Sequence, residues 1–182
     1  MKPLLRLFLL AAVPFLIGAC SEELDFDQYE DLQLRPELEA SIVYVRTQES
    51  LINRISGVQF YSQDFNFDAF EAPFFADRVL EGTIAYHLEN TTSKPIAFSL
   101  SFLDVDGNAL DVQEFNLPAA PPAATMTREV NYGPTGAPLD ILRNTTTVRI
   151  SGQNLGDNIT ESPIDRAAIV LRSTGRFTFR FK

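Results

Sequence analysis

Cysteine, histidine and tryptophan are nearly missing: the chain has one cysteine, one histidine and no tryptophan. One cysteine excludes any disulfide within the chain, and so few Cys and His donors leave no zinc cluster of several such ligands. A Ser-His-Asp or Cys-His centre would have to recruit His87, which falls on the polar face of a strand pattern, where an exposed and chemically neutral histidine is the plainer reading. Without tryptophan, a sugar-binding surface lacks its largest stacking ring. Positive charge is also in deficit, with 15 Lys and Arg against 24 Asp and Glu and a formal net charge of -9. Lys2 and Arg6 both precede Cys20, so the chain from Cys20 onward carries -11. A surface of that sign repels phosphate backbones, and nucleic acid is not an expected partner.

What the chain does have is ordinary globular composition, 45% hydrophobic and 21% charged residues. Its N-terminus is organised differently. Lys2 and Arg6 are followed by an uncharged, mostly apolar run of 13 residues from Leu7 to Ala19. That run is too short for the roughly 20 residues a spanning helix needs, and Pro14 interrupts it, so the layout is that of a secretory signal over residues 1–19. Removing it leaves 163 residues, enough for one domain with a hydrophobic core.

Leu16-Ile17-Gly18-Ala19-Cys20 closes the signal with an aliphatic residue three places before the cysteine and small residues between. This resembles the lipobox of bacterial lipoproteins. The resemblance implies cleavage between Ala19 and Cys20, a diacylglyceryl thioether on the Cys20 sulfur, and N-acylation in many Gram-negative bacteria. The covalent lipid on Cys20 is the one non-protein group expected; no dissociable cofactor and no metal are. Two or three acyl chains, at about 0.8 kcal/mol per buried CH2, hold a protein on a membrane essentially permanently. The rival is an ordinary secretory signal that leaves Cys20 as a free thiol.

Ser21 to Asp31 contains six acids and no base, so residues 20–36 read as the lipidated cysteine and a solvated acidic tether. Ser21 after the cysteine resembles outer-membrane sorting, and Ser21, Glu22 and Glu23 resemble the surface-export signal of Bacteroidota lipoproteins. An acidic run kept for solubility reads equally well. The expected location is the cell envelope, anchored in the outer membrane, on its periplasmic or its surface side.

Residues 37–182 follow a period of two. Gly82, Ile84, Tyr86 and Leu88 alternate with Thr83, Ala85, His87 and Glu89; Ile96, Phe98, Leu100 and Phe102 do the same after the turn formers Asn90 to Pro95. Asp104 to Asn108, with its Asp-Gly step, is a hairpin signal before Leu110 and Val112. Further two-fold patterns lie at Leu38, Ala40, Ile42 and Tyr44, at Met126, Val130 and Tyr132, at Val148 and Ile150, and at Phe177, Phe179 and Phe181. Seven or more short strands predict a single all-β domain, an antiparallel β-sandwich or a small barrel, with the sandwich favoured. Pro73 and Pro138 each suit the start of a short helical turn, and residues 118–124 form a proline- and alanine-rich link. The terminal Phe177-Thr178-Phe179-Arg180-Phe181 resembles an outer-membrane barrel signal, but most runs are shorter than the 9 to 11 residues a spanning strand needs.

The span Gly82 to Asn108, with its Asn-Thr-Thr turn and Leu-Asp-x-x-Gly-Asn hairpin, resembles the immunoglobulin-like sandwiches of the late-embryogenesis-abundant type. The chain from Cys-Ser-Glu-Glu onward is similar in style to small flavobacterial lipoproteins of unassigned function. Both resemblances imply a fold and a location and carry no activity.

Few residues suggest chemistry. Asp104, Asp106, Asn108 and Asp111 gather oxygens that could suit calcium, but they lack the spacing of an EF-hand and read first as a turn. Asn90, Asn144 and Asn158 head Asn-x-Thr triplets and read as turn residues. Arg172, Arg176, Arg180 and Lys182 make a basic C-terminal stretch, either a solvated strand face or a docking face for an acidic envelope partner. The leading expectation is a non-catalytic interaction or structural module on a lipid anchor. The alternatives are an envelope hydrolase that attacks glycans with paired carboxylates and a carrier of lipid or another hydrophobic ligand.

Overall fold

The protein is described as a computed structural model that covers Leu34–Phe181. Eight strands are present among the described residues: β1 (Glu37–Gln48), β2 (Gln59–Asn66), β3 (Val79–Asn90), β4 (Ile96–Leu103), β5 (Ala109–Leu117), β6 (Ala124–Tyr132), β7 (Thr147–Asn154) and β8 (Ala168–Phe179). Four short helices join them: α1 (Glu49–Ile52), α2 (Asp68–Glu71), α3 (Pro73–Arg78) and α4 (Leu139–Arg143). The strands form two separate four-stranded sheets, β1-β8-β3-β6 and β2-β7-β4-β5, with every neighbour antiparallel. This is the expected all-β sandwich, with two more helical turns than the prolines announce.

The pairs β4–β5, β3–β6, β2–β7 and β1–β8 nest inside one another, as if one long hairpin bent at Asp104–Asn108 had been rolled up. That nesting is the jelly-roll arrangement of eight strands, which connects the same two layers differently from the immunoglobulin order.

Core positions follow the alternation where strands are regular. Ile84, Tyr86 and Leu88 of β3 face Ile96, Phe98, Leu100 and Phe102 of β4, all fully buried, as are Val148 and Ile150 of β7. Two strands depart from the expected parity. In β1 a bulge between Ser41 and Val43 shifts the register, so Val43 and Val45 become the buried pair and Tyr44 turns outward. In β5 a register shift opposite Phe102 and Leu103 leaves Val112 exposed, and the buried residues are Phe115 and Leu117. β2 has no clear alternation, since it is an edge strand whose buried contribution is Phe60.

At the end of the core reached by the C-terminus, α2 and α3 supply Phe70 and Phe75, whose rings pack on Phe177 with centroids 5.6 and 5.0 Å away. Phe177 lies across two glycines of neighbouring strand positions. A Cβ at Gly82 would sit 2.4 Å from its Cδ1, and one at Gly175 would sit 2.6 Å from its Cε2. With Phe70 and Phe75 on its other side, the ring has little room to retreat. Gly82→Ala should therefore destabilise the fold by about 1–3 kcal/mol through overpacking. The check is the thermal unfolding midpoint, and an unchanged midpoint would show that Phe177 moves aside freely.

Candidate functional site

The residues of the expected anchor, Ala19 and Cys20, and of the surface-export resemblance, Ser21, Glu22 and Glu23, lie outside the described residues, as does Lys182. The other candidates can be placed. His87 is exposed on the outer face of β3, with Nδ1 3.1 Å from the Thr127 hydroxyl, and Arg172 and Thr127 are its register neighbours. Asp104 closes its own turn: its carboxylate accepts the N–H groups of Asp106 and Asn108 and the Asn108 amide. Those bonds, led by the Asn108 side chain, hold its carboxyl below the usual range. Gly107 takes the positive φ of +82° that the turn needs. Asp111 points away from that loop and accepts bonds from the Tyr132 hydroxyl and the Gln113 amide, each at 2.9 Å. The four oxygen-bearing residues do not converge, and among the described residues no group of three or more His, Cys, Asp or Glu side chains is placed to hold a metal. Burial pushes the hydroxyls of Tyr86 and Tyr132 far above the usual tyrosine range, so Tyr132 acts as a donor to Asp111.

Asn90 is fully buried and closes the β3–β4 turn from inside: its amide donates to the Lys94 and Pro118 carbonyls, and its oxygen accepts the Thr92 N–H and hydroxyl. Asn158 donates to the Ile55 carbonyl, and Asn144 caps α4. Asn90 and Asn158 thus act as loop fasteners.

A polar knot missed by sequence reasoning occupies the same end of the sandwich. The β3–β4 turn, α1 and the β7–β8 loop meet there, with several of their backbone N–H and C=O groups partly buried. Glu49 answers them with a nearly buried carboxylate. Its Oε1 accepts the Ser93 N–H and hydroxyl at 2.6 Å each, and its Oε2 accepts the Ser162 N–H at 2.8 Å. Lys94 is buried as well, its Nζ donating to Asp157 Oδ1 at 2.8 Å and to the Thr160 carbonyl at 2.6 Å. Asp157 stays half exposed and also accepts the N–H groups of Ile159 and Thr160. The bond from Lys94, ahead of those from Thr160, holds its carboxyl well below the ordinary range. Lys94 is paired with Asp157, and both Glu49 oxygens are occupied by hydrogen-bond donors of the loops, so the chemistry of the knot is fastening. The one local signal was Asp157-x-x-Thr160, an Asx-type turn; nothing in the turn-rich context of Lys94 marks it as buried.

The outer face of the β1-β8-β3-β6 sheet carries exposed polar and charged side chains. Its cross-strand rows read Arg46–Val170–Glu89–Thr125, Tyr44–Arg172–His87–Thr127 and Glu39–Arg176–Thr83–Asn131. Arg176 is neutralised, its Nε 3.0 Å from Glu37 and 3.8 Å from Glu39. Arg172 instead stacks over the exposed Tyr44 ring, 5.9 Å from its centroid. Arg46, Glu89, Asp165 and Arg166 complete a shallow cleft over Ala168 and Val170. The forked guanidinium groups of Arg46 and Arg172 suit carboxylates, with Tyr44 as a flat apolar neighbour.

No family model and no curated protein matches the chain. Among solved structures, it is similar to infectious bursal disease virus, Gt strain, at 12% identity and a TM-score of 0.38, covering 81% of this chain and 32% of that one. Bacillus endospore appendages, which form disulfide-linked pili, match at 14% identity and a TM-score of 0.34, covering 80% and 90%. Tailspike protein 4 of bacteriophage CBA120, enzymatically active domain, matches at 11% and 0.37, covering 79% and 19%. The chain spans about a third of the length of the bursal disease virus chains it matches. At these scores the likenesses carry no argument about activity.

Two outcomes test the knot. Glu49→Ala would leave the half-buried Ser93 and Ser162 N–H groups without their acceptor and should cost about 1–3 kcal/mol, read by denaturant unfolding; a loss within error of zero would mean that water replaces the carboxylate. Because Asp157 titrates below 3.8 when folded, its bonds stabilise the protein above the unfolded value and are lost as pH falls through the folded one. Wild type should therefore lose more stability on acidification than Asp157→Asn, the two converging at the lowest pH; parallel curves would contradict the assignment.

Proposed function

We propose that this protein is a bacterial envelope lipoprotein, held in the outer membrane by acyl chains on Cys20, whose sandwich domain serves as a non-catalytic interaction or structural module. The observation that carries the reading is the run Leu16-Ile17-Gly18-Ala19-Cys20 at the end of a short secretory signal. Support for a module comes from the space between the sheets, which is filled by Phe60, Phe98, Phe102, Phe115, Tyr86 and the aliphatic residues around them. A carrier would need that space as a lumen. The face this module offers a partner is the outer sheet face around Tyr44, Arg46 and Arg172, whose charge complements an acidic protein on an otherwise acidic domain.

Mass spectrometry of the mature N-terminus tests the anchor. We expect a diacylglyceryl or triacyl Cys20 peptide starting at that residue, and loss of acyl incorporation in Cys20→Ala. A mature chain that begins elsewhere, or that carries Cys20 as a free thiol, would overturn the lipoprotein reading.

A further inference from the structure

One corner of the domain exposes apolar surface in a concentrated form. Phe74 of α3 is 44% exposed, and its ring centroid lies 5.3 Å from that of Phe179 and 5.6 Å from that of Phe181. Phe181 bridges to Leu34, which is 57% exposed, and Leu38 nearby is 49% exposed. Arg78, one helical turn after Phe74, holds its guanidinium 5.5 Å from the Phe74 centroid and 5.4 Å from that of Phe181. Arg180 is joined to the same segment through its N–H on the Arg78 carbonyl, and Arg35 follows Leu34. The Arg78 guanidinium and four large apolar side chains thus share a corner of a chain whose net charge is -9. The pattern of rings and aliphatic tips beside guanidinium groups is what an interfacial membrane surface requires, because the apolar groups enter the acyl boundary while the cations meet headgroup phosphates.

The corner is also where the chain enters the domain. Leu34 is 14 residues from Cys20, a contour of at most about 50 Å. The opposite end also exposes aliphatic residues, Leu51, Val58, Leu155 and Ile159, but it lies a strand length away, roughly 40 Å for twelve residues. Bringing that end to the bilayer would stretch the tether nearly to its limit, whereas the Leu34 corner reaches it without extension. A short tether also presents the corner to lipid at an effective concentration of the order of mM, so a patch too weak to bind from solution is enough.

We infer that the corner formed by Leu34, Leu38, Phe74 and Phe181 around Arg78 rests on the bilayer interface, fixing the domain upright on its own membrane with the opposite loop end directed outward. The inference rests on the lipid anchor proposed above. Its consequence is that the acyl chains hold the protein while the corner orients it.

The absence of tryptophan supplies the test. Phe74→Trp and, separately, Ile159→Trp each give the full acylated protein one indole, at the corner and at the far end. Each is reconstituted into phosphatidylcholine vesicles with and without brominated acyl chains, after its unfolding midpoint is matched to the parent; Leu34→Trp replaces Phe74→Trp if the latter fails to fold. We expect both proteins to float with the vesicles. The corner indole should shift to the blue and lose about half or more of its emission to bromine at the roughly 5–10 Å depth that interfacial groups reach, while the Ile159→Trp indole stays unquenched. Flotation with an unquenched corner, or with quenching at Ile159→Trp instead, would overturn the inference and leave the anchor standing. Failure to float, with Cys20 unacylated, would overturn both.

Discussion

β8 lies between β1 and β3 in the middle of its sheet, hydrogen-bonded along both edges, although it comes last in sequence among the described strands. Sheet β1-β8-β3-β6 therefore has no interior until the C-terminal segment is in place, and β1 stays an unpaired edge until then. The remaining architecture depends on this. Pairing that starts at the Asp104–Asn108 turn joins β4 to β5 locally, and each later pair encloses the earlier one at a growing loop-closure cost. A fold dominated by such long-range pairs gains little from any one segment alone, and its stability arrives when the two inner faces meet.

The arrangement explains why so much polar chemistry is buried at one end. The turns that cross there connect strands of opposite sheets, so their backbone groups are drawn under the rim. Buried N–H and C=O groups need partners, and side chains supply them where no strand can. Glu49 serves Ser93 and Ser162, Asn90 serves the Thr92 turn and the Pro118 carbonyl, and Lys94 joins its own turn to Asp157 and Thr160. Buried charges of this kind resemble catalytic groups in composition. Their oxygens and protons are committed to fixed loops, which makes them fasteners of the rim.

Much of the fold was legible because β3 and β4 run without interruption between turn formers, so residue parity and burial coincide from Gly82 to Phe102. Parity failed where the backbone inserts a residue. The bulge at Ser41–Val43 turns Tyr44 outward, and the shift opposite Leu103 sends Asp111 and not Val112 toward the core side. β2 escaped notice because an edge strand with one buried phenylalanine has no two-fold signature. The strand order was illegible for a deeper reason: sandwiches of different connection share alternation and turn spacing, and they differ only in which distant strands pair. Lys94 and Glu49 were hidden likewise, since their burial is created by a loop more than sixty residues from Lys94 and more than a hundred from Glu49.

Charge is distributed unevenly over this frame, and the distribution separates the tasks that the proposed reading assigns. Arg176 is spent on Glu37 and Glu39 within the sheet, and Arg149 on Asp64 of the neighbouring strand. Arg78 is held between two phenylalanine rings at the corner where Leu34 enters, and Arg172 rests on Tyr44 higher on the outer face. Aromatic rings leave a guanidinium its hydrogen-bonding edge, whereas carboxylates consume it. Arg128 also lies over a ring, that of Phe115, but donates to the Glu114 carbonyl, whereas Arg78 and Arg172 keep guanidinium edges that can face something outside the chain. One sits beside exposed apolar side chains at the Leu34 corner, the other beside Arg46 and polar threonines on the sheet face. Their surroundings suit a lipid interface in the first case and an acidic protein surface in the second, so a single rigid sandwich can be oriented at one place and read at another.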